Sequence, residues 1–85
     1  MPIRSYVKIY GPPLMKAIEA LESINIDTKE IPVKPIGLAL GEYDYCYEWT
    51  RGQPDPPQFY KLIEKIDEAL TPLGVRYTIQ TFVRL

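Results

Sequence analysis

Histidine is absent from this 85-residue chain, and cysteine occurs once, as Cys46. Without an imidazole there is no Ser-His-Asp or Cys-His catalysis, no histidine zinc site and no imidazole pH switch. A lone cysteine closes no intramolecular disulfide and holds no iron–sulfur cluster. Asp44 and Glu48 flank it in sequence, and nearby negative charge disfavours a thiolate, so Cys46 reads as inert. No apolar run approaches the ~20 residues needed to span a bilayer. An excess of one charge is missing too: ten basic against eleven acidic residues leave a net charge of −1, which supplies no field to draw nucleic acid or an anionic membrane. The first residues show no charged region leading into an apolar block and a small-residue cleavage site, so no secretory signal is expected and the expected location is cytoplasmic.

What the chain does contain is ordinary for a globular domain: 46% hydrophobic and 25% charged residues. Its length has room for one domain, residues 1–85, which buries only about 60 to 65% of its unfolded surface. Self-association would enlarge that modest core.

Periodicity then orders the elements. Ile3, Ser5, Val7 and Ile9 alternate with Arg4, Tyr6, Lys8 and Tyr10, the pattern of a half-buried strand. Leu14, Ala17, Ile18, Leu21 and Ile24 recur at helical spacing, with Asn25 as the expected stop. Pro32 and Pro35 interrupt a strand-like stretch and suit only an edge strand, which is expected to pair from Gly37–Leu40, through a turn at Gly41-Glu42, with a strand from Tyr43 to Thr50. Phe59, Leu62, Ile63, Ile66, Ala69, Leu70 and Leu73 mark a second helix, closed by Gly74; Val75 to Leu85 alternate as a last strand. Each helix is preceded by a proline pair, Pro12-Pro13 and Pro56-Pro57, and proline is tolerated in a first helical turn. Strand, helix, strand, strand, helix, strand is the order of a ferredoxin-like βαββαβ sandwich, an α+β fold with two helices on one face of a four-stranded antiparallel sheet. In that arrangement the strands lie in the order four, one, three, two, with the proline-bearing strand at an edge.

The densest local pattern is Glu42 to Trp49. It places Tyr43, Tyr45, Tyr47 and Trp49 on one face and Glu42, Asp44, Cys46 and Glu48 on the other. Burying three unpaired carboxylates costs several kcal/mol each, so the aromatic side is expected in the core and the acidic side on the open face of the sheet. There Arg4 and Lys8 would meet Glu42, Asp44 and Glu48, flanked by Arg76 and Arg84, with Tyr6, Tyr10 and Phe82 among them. The reverse orientation would expose the aromatics as a base-stacking platform, but the interleaved carboxylates repel phosphate, so no nucleic acid is expected. Carboxylates two apart on one strand stand ~7 Å apart, which gives no expected metal site. The expectation is therefore a non-catalytic binding or assembly module without a cofactor. Its candidate contact residues are Arg4, Tyr6, Lys8, Tyr10, Glu42, Asp44, Glu48, Arg76 and Arg84, and its expected partners are a second copy, another protein or a small molecule.

Two resemblances supply alternatives. Met1-Pro2-Ile3 and the strand, turn and helix that follow resemble the start of the tautomerase superfamily, in which loss of the initiator methionine leaves a proline amine as general base. The resemblance implies that role for Pro2; Gly11-Pro12-Pro13 stands where that family commonly has an arginine. The order of elements, with the final helix and strand from Ile63 to Thr81, is also similar to small thiamine-binding proteins, which implies a metabolite-binding module.

Overall fold

The alternation from Ile3 to Tyr10 forms β1 (Ile3–Tyr10), whose odd-numbered residues are buried while Arg4, Tyr6 and Lys8 stay half-exposed. The computed structural model describes residues 3–24, 26–39 and 41–83. The expected helix stop at Asn25, the hairpin residue Leu40, and Pro2, Arg84 and Leu85 lie outside the described residues. After β1 come α1 (Leu14–Glu22), β2 (Val33–Leu38), β3 (Tyr45–Trp49), α2 (Pro56–Leu70), a short turn of 3-10 helix at Thr71–Leu73, and β4 (Arg76–Val83). The strands form one antiparallel sheet in the order β2-β3-β1-β4. No helix of the described residues is long and apolar enough to cross a membrane.

The two helices begin differently. Asp55 caps α2 with a reciprocal pair of bonds: the Gln58 amide donates to Asp55 Oδ1 at 2.9 Å, and the Asp55 amide donates to Gln58 Oε1 at 3.0 Å. Pro56 and Pro57 then occupy the first turn, where their missing N–H groups cost nothing. The other proline pair lies one step earlier than expected: Pro13 is the residue before the first turn of α1 and offers no side-chain cap. At the far end of α1, Ser23 Oγ donates to the Glu19 carbonyl at 2.6 Å, beside the helical bond that the Ser23 amide makes to the same oxygen at 3.1 Å. Gly74, at φ 69°, adopts the left-handed conformation that closes the turn after α2.

The core lies between the helices and one face of the sheet. Ala17, Ile18 and Leu21 from α1 and Leu62, Ile66 and Leu70 from α2 pack against Val7, Val33, Tyr45, Tyr47 and Trp49. Both helices therefore cover the same face, and the opposite face is open. The expected core aromatics Tyr45, Tyr47 and Trp49 are there, and two of them make buried hydrogen bonds: Tyr47 donates to the Leu21 carbonyl at 2.9 Å and Trp49 Nε1 to Ser5 Oγ at 2.8 Å. Ser5 Oγ also shares a 2.7 Å hydrogen bond with Thr81 Oγ1, which ties β3, β1 and β4 together within the core.

Two expectations are corrected. β2 starts at Val33, not Gly37, leaving Pro32 before it, and accommodates Pro35 through an irregularity between Pro35 and Gly37 in its pairing with β3. An edge strand tolerates such interruption because only one side of it carries a ladder. β3 starts at Tyr45, and Tyr43 does not join the core aromatics. The Asp44 amide donates to the Val7 carbonyl at 2.9 Å while its carboxylate accepts from the Ile9 amide at 2.7 Å. That arrangement ends the regular alternation one residue before Tyr45 and frees Tyr43 to lie on the other face.

Candidate functional site on the open sheet face

The strand register decides which side chains meet on the uncovered face. Arg4 on β1 stands opposite Glu48 on β3, and Glu48 stands opposite Lys34 on β2. Glu48 consequently bridges two cations, Arg4 Nε at 3.1 Å and Lys34 Nζ at 3.6 Å. Beside this row lies an aromatic cluster. Tyr6, Tyr43 and Phe82 bring their ring centroids within 5.2 to 5.9 Å of one another in tilted and edge-on contacts, the geometry that the ring quadrupole favours. The Tyr43 hydroxyl donates to Gln80 Oε1, so this side chain reaches across β1 to β4.

The remaining sequence candidates divide. Lys8 Nζ donates to the Glu42 backbone carbonyl at 2.8 Å and lies 5.6 Å from the centroid of the Tyr10 ring, so Glu42 meets Lys8 through its main chain and not through its carboxylate. Asp44 is no charge partner for Arg4 or Lys8 either; its carboxylate is engaged by the Ile9 amide. Tyr10 and Arg76 are exposed and paired in register at one end of the face, and among the described residues Arg76 is in no ion pair. The site thus unites Arg4, Tyr6 and Glu48 closely, Lys8 and Tyr10 next to them. It also includes Lys34, Tyr43 and Gln80, which sequence reasoning missed. Lys34 was concealed because the β2–β3 register could not be counted across an irregular strand. Tyr43 was concealed because its alternation with Tyr45 pointed inward.

Cys46 is buried on this face, opposite Tyr6. Burial pushes its thiol above the usual range; Arg4 opposes that shift and Glu48 adds to it. A buried, protonated thiol packs and does not attack. Among the described residues no group of three or more cysteine, aspartate or glutamate side chains is arranged to hold a metal ion.

Concavities lie on the helix side of the sheet, one of about 390 Å³ between the end of α1 and α2. A groove of about 470 Å³ runs between the start of α2 and the sheet, walled by Ile3, Thr81, Pro54, Pro56, Phe59 and Tyr60. Its lining is mostly apolar and also includes the Asp55 carboxylate, Gln53 and the side chains of Tyr60 and Thr81. The chain matches no protein-family model, and neither a curated protein nor a solved structure proved significantly similar to it.

Proposed function

We propose that this protein is a non-catalytic assembly module with a ferredoxin-like fold, which associates with a second copy or a protein partner through sheet surface that its helices leave uncovered. The fold assignment is supported by the strand order, since β2-β3-β1-β4 read from the opposite edge is four, one, three, two. The observation that carries the functional reading is the aromatic cluster of Tyr6, Tyr43 and Phe82, set beside the Arg4–Glu48–Lys34 row on the open face. Aromatic residues and arginine surrounded by polar groups are the composition enriched at protein interfaces, and a contiguous exposed apolar patch on a small domain marks a contact surface.

Native mass spectrometry of the wild type and of the Tyr6→Glu/Lys8→Glu variant tests the reading. The wild type is expected as an oligomer, and the variant as a smaller particle with unchanged helical circular dichroism, because both replaced side chains stand clear of the core. A monomeric wild type that captures no partner protein would refute the assembly reading. A wild type carrying additional small-molecule mass would transfer the function to metabolite binding, with the groove beside Phe59 and Tyr60 as its seat.

A further inference from the structure

The sheet has two ends, and they are built to opposite specifications. β2 carries Pro35, Lys34, an irregular register and Gly37 at φ 127°, all devices that discourage pairing at an edge. β4 has none of them. From Arg76 to Val83 it keeps unbroken register with β1, and its sequence between those residues, Tyr-Thr-Ile-Gln-Thr-Phe, contains no proline or lysine and is rich in strand-forming residues.

The hydrogen-bonding direction of that edge follows from β1. The Ile9 amide and the Val7 carbonyl both face the β3 side, where Asp44 engages them. Odd-numbered residues of β1 thus aim their backbone groups at β3 and even-numbered ones at β4. Tyr6 stands opposite Gln80, so the even residues of β4 answer β1, and Tyr77, Ile79 and Thr81 turn their N–H and C=O groups outward from the last strand.

We infer that β4 pairs antiparallel with β4 of a second copy of this chain, with Ile79 opposite Ile79 on a two-fold axis, so that two sheets join into one of eight strands. The inference rests on the assembly reading above and names its partner and its contact. A two-fold antiparallel pairing has few registers that keep each side chain on its own face. Centring on Ile79 sets Thr78 opposite Gln80, Tyr77 opposite Thr81 and Arg76 opposite Phe82. Every outward backbone group then meets an outward partner, and each guanidinium faces an aromatic ring in place of a like charge. The chosen register also uses the groove: Tyr77 of the second copy lands next to Thr81, one of its walls, on the helix side where Phe59 and the largely exposed Tyr60 stand. Joined in this way, the two open faces become neighbours and their aromatic clusters form one surface.

Two charge designs at the exposed positions 78 and 80 test the register. In Thr78→Lys/Gln80→Lys, each lysine faces a lysine of the second copy; in Thr78→Lys/Gln80→Glu, each lysine faces a glutamate. Sedimentation equilibrium is expected to show the first variant dissociating with a Kd raised about tenfold or more over the wild type, and the second associating at least as well as the wild type. Urea midpoints of the two variants, measured at concentrations where both are monomeric, verify that each is folded. A wild-type oligomer that both variants retain equally would overturn the edge pairing, while loss of that oligomer in Tyr6→Glu/Lys8→Glu would leave the assembly reading standing on the open face. A wild type that stays monomeric would overturn both.

Discussion

Each face of the sheet carries a trio of aromatic residues, with Tyr77 beside one and Tyr10 beside the other, and the two trios are used in opposite ways. Tyr45, Tyr47 and Trp49 lie at most 3% exposed under the helices, and Tyr47 and Trp49 have found buried hydrogen-bond acceptors. Tyr6, Tyr43 and Phe82 contact one another at similar ring distances on the side without helices, and Phe82 is 42% exposed. Ring contact occurs in both trios, in the buried one between Tyr45 and Tyr47 with centroids 5.1 Å apart. What separates them is the water each has lost, and from that difference a ranking of effects follows. Truncating Trp49 to alanine should cost about 3–5 kcal/mol, the range for removing a large aromatic side chain from a core. It also strips the donor from Ser5, whose link to Thr81 spans β1 and β4. Phe82→Ala should cost only about 1 kcal/mol, the value of its edge-on contacts and partial burial. Urea unfolding of the two variants measures the gap. Equal losses would mean that the open trio is part of the folding core and not a surface held ready for a partner.

Alkaline pH acts on the buried trio by a different route. Burial, and after it the charge of Tyr45, raises the Tyr47 phenol well above the ordinary tyrosine range; burial also raises Tyr45. Next to the core, Tyr77 is pushed up to about 12 by burial, by the charge of Asp67 and by its hydrogen bond to that carboxylate. The folded state therefore keeps protons that the unfolded chain releases near pH ~10. The resulting stability is complete below that pH and is lost as pH rises through the folded-state values. The urea midpoint of the wild type should accordingly fall above about pH 10. Tyr47→Phe should begin about 1 kcal/mol lower at neutral pH, having left the Leu21 carbonyl without its buried donor. It should then lose less on alkaline titration, so that the two curves converge. Parallel curves would show that the Tyr47 proton does not distinguish the folded from the unfolded chain.

The comparison of trios also marks where the sequence could be read and where it could not. Period-two alternation identified the buried side of β1 and the inward set Tyr45, Tyr47 and Trp49, because a half-buried strand writes its two faces directly into neighbouring residues. Asp55-Pro56-Pro57 announced α2 because cap and first-turn preferences act over a few residues. Tyr43 was misread because its position depends on a carboxylate answering a backbone amide from another strand, Asp44 to Ile9, which no local period records. The charge partners were legible only in part for the same reason. Arg4 with Glu48 follows from strand adjacency, whereas Asp44 and Glu42 are diverted to main-chain bonds. Lys34 entered the site only once the irregular β2 had a register.

The smallest effect should come from the charges beside the open trio, and its size bears on what they are for. Glu48 stands 21% exposed between Arg4 at 35% and Lys34 at 55%, with the Arg4 contact shorter by half an ångström. Partly exposed pairs of this kind couple by about 0.2–1 kcal/mol. Double-mutant cycles with Arg4→Met, Lys34→Met and Glu48→Gln should give the larger coupling to Arg4, since water screens it less and its Nε donates directly to the carboxylate. Both couplings should shrink on moving from low salt to about 1 M, where the Debye length falls to ~3 Å. A coupling of several kcal/mol, indifferent to salt, would make this row a structural device like the Trp49–Ser5–Thr81 chain on the other face. A small, salt-sensitive coupling has the opposite consequence: the row could be rearranged at little cost to the fold, so the charges and aromatics of the open face are available to a partner's surface in a way that the buried trio is not.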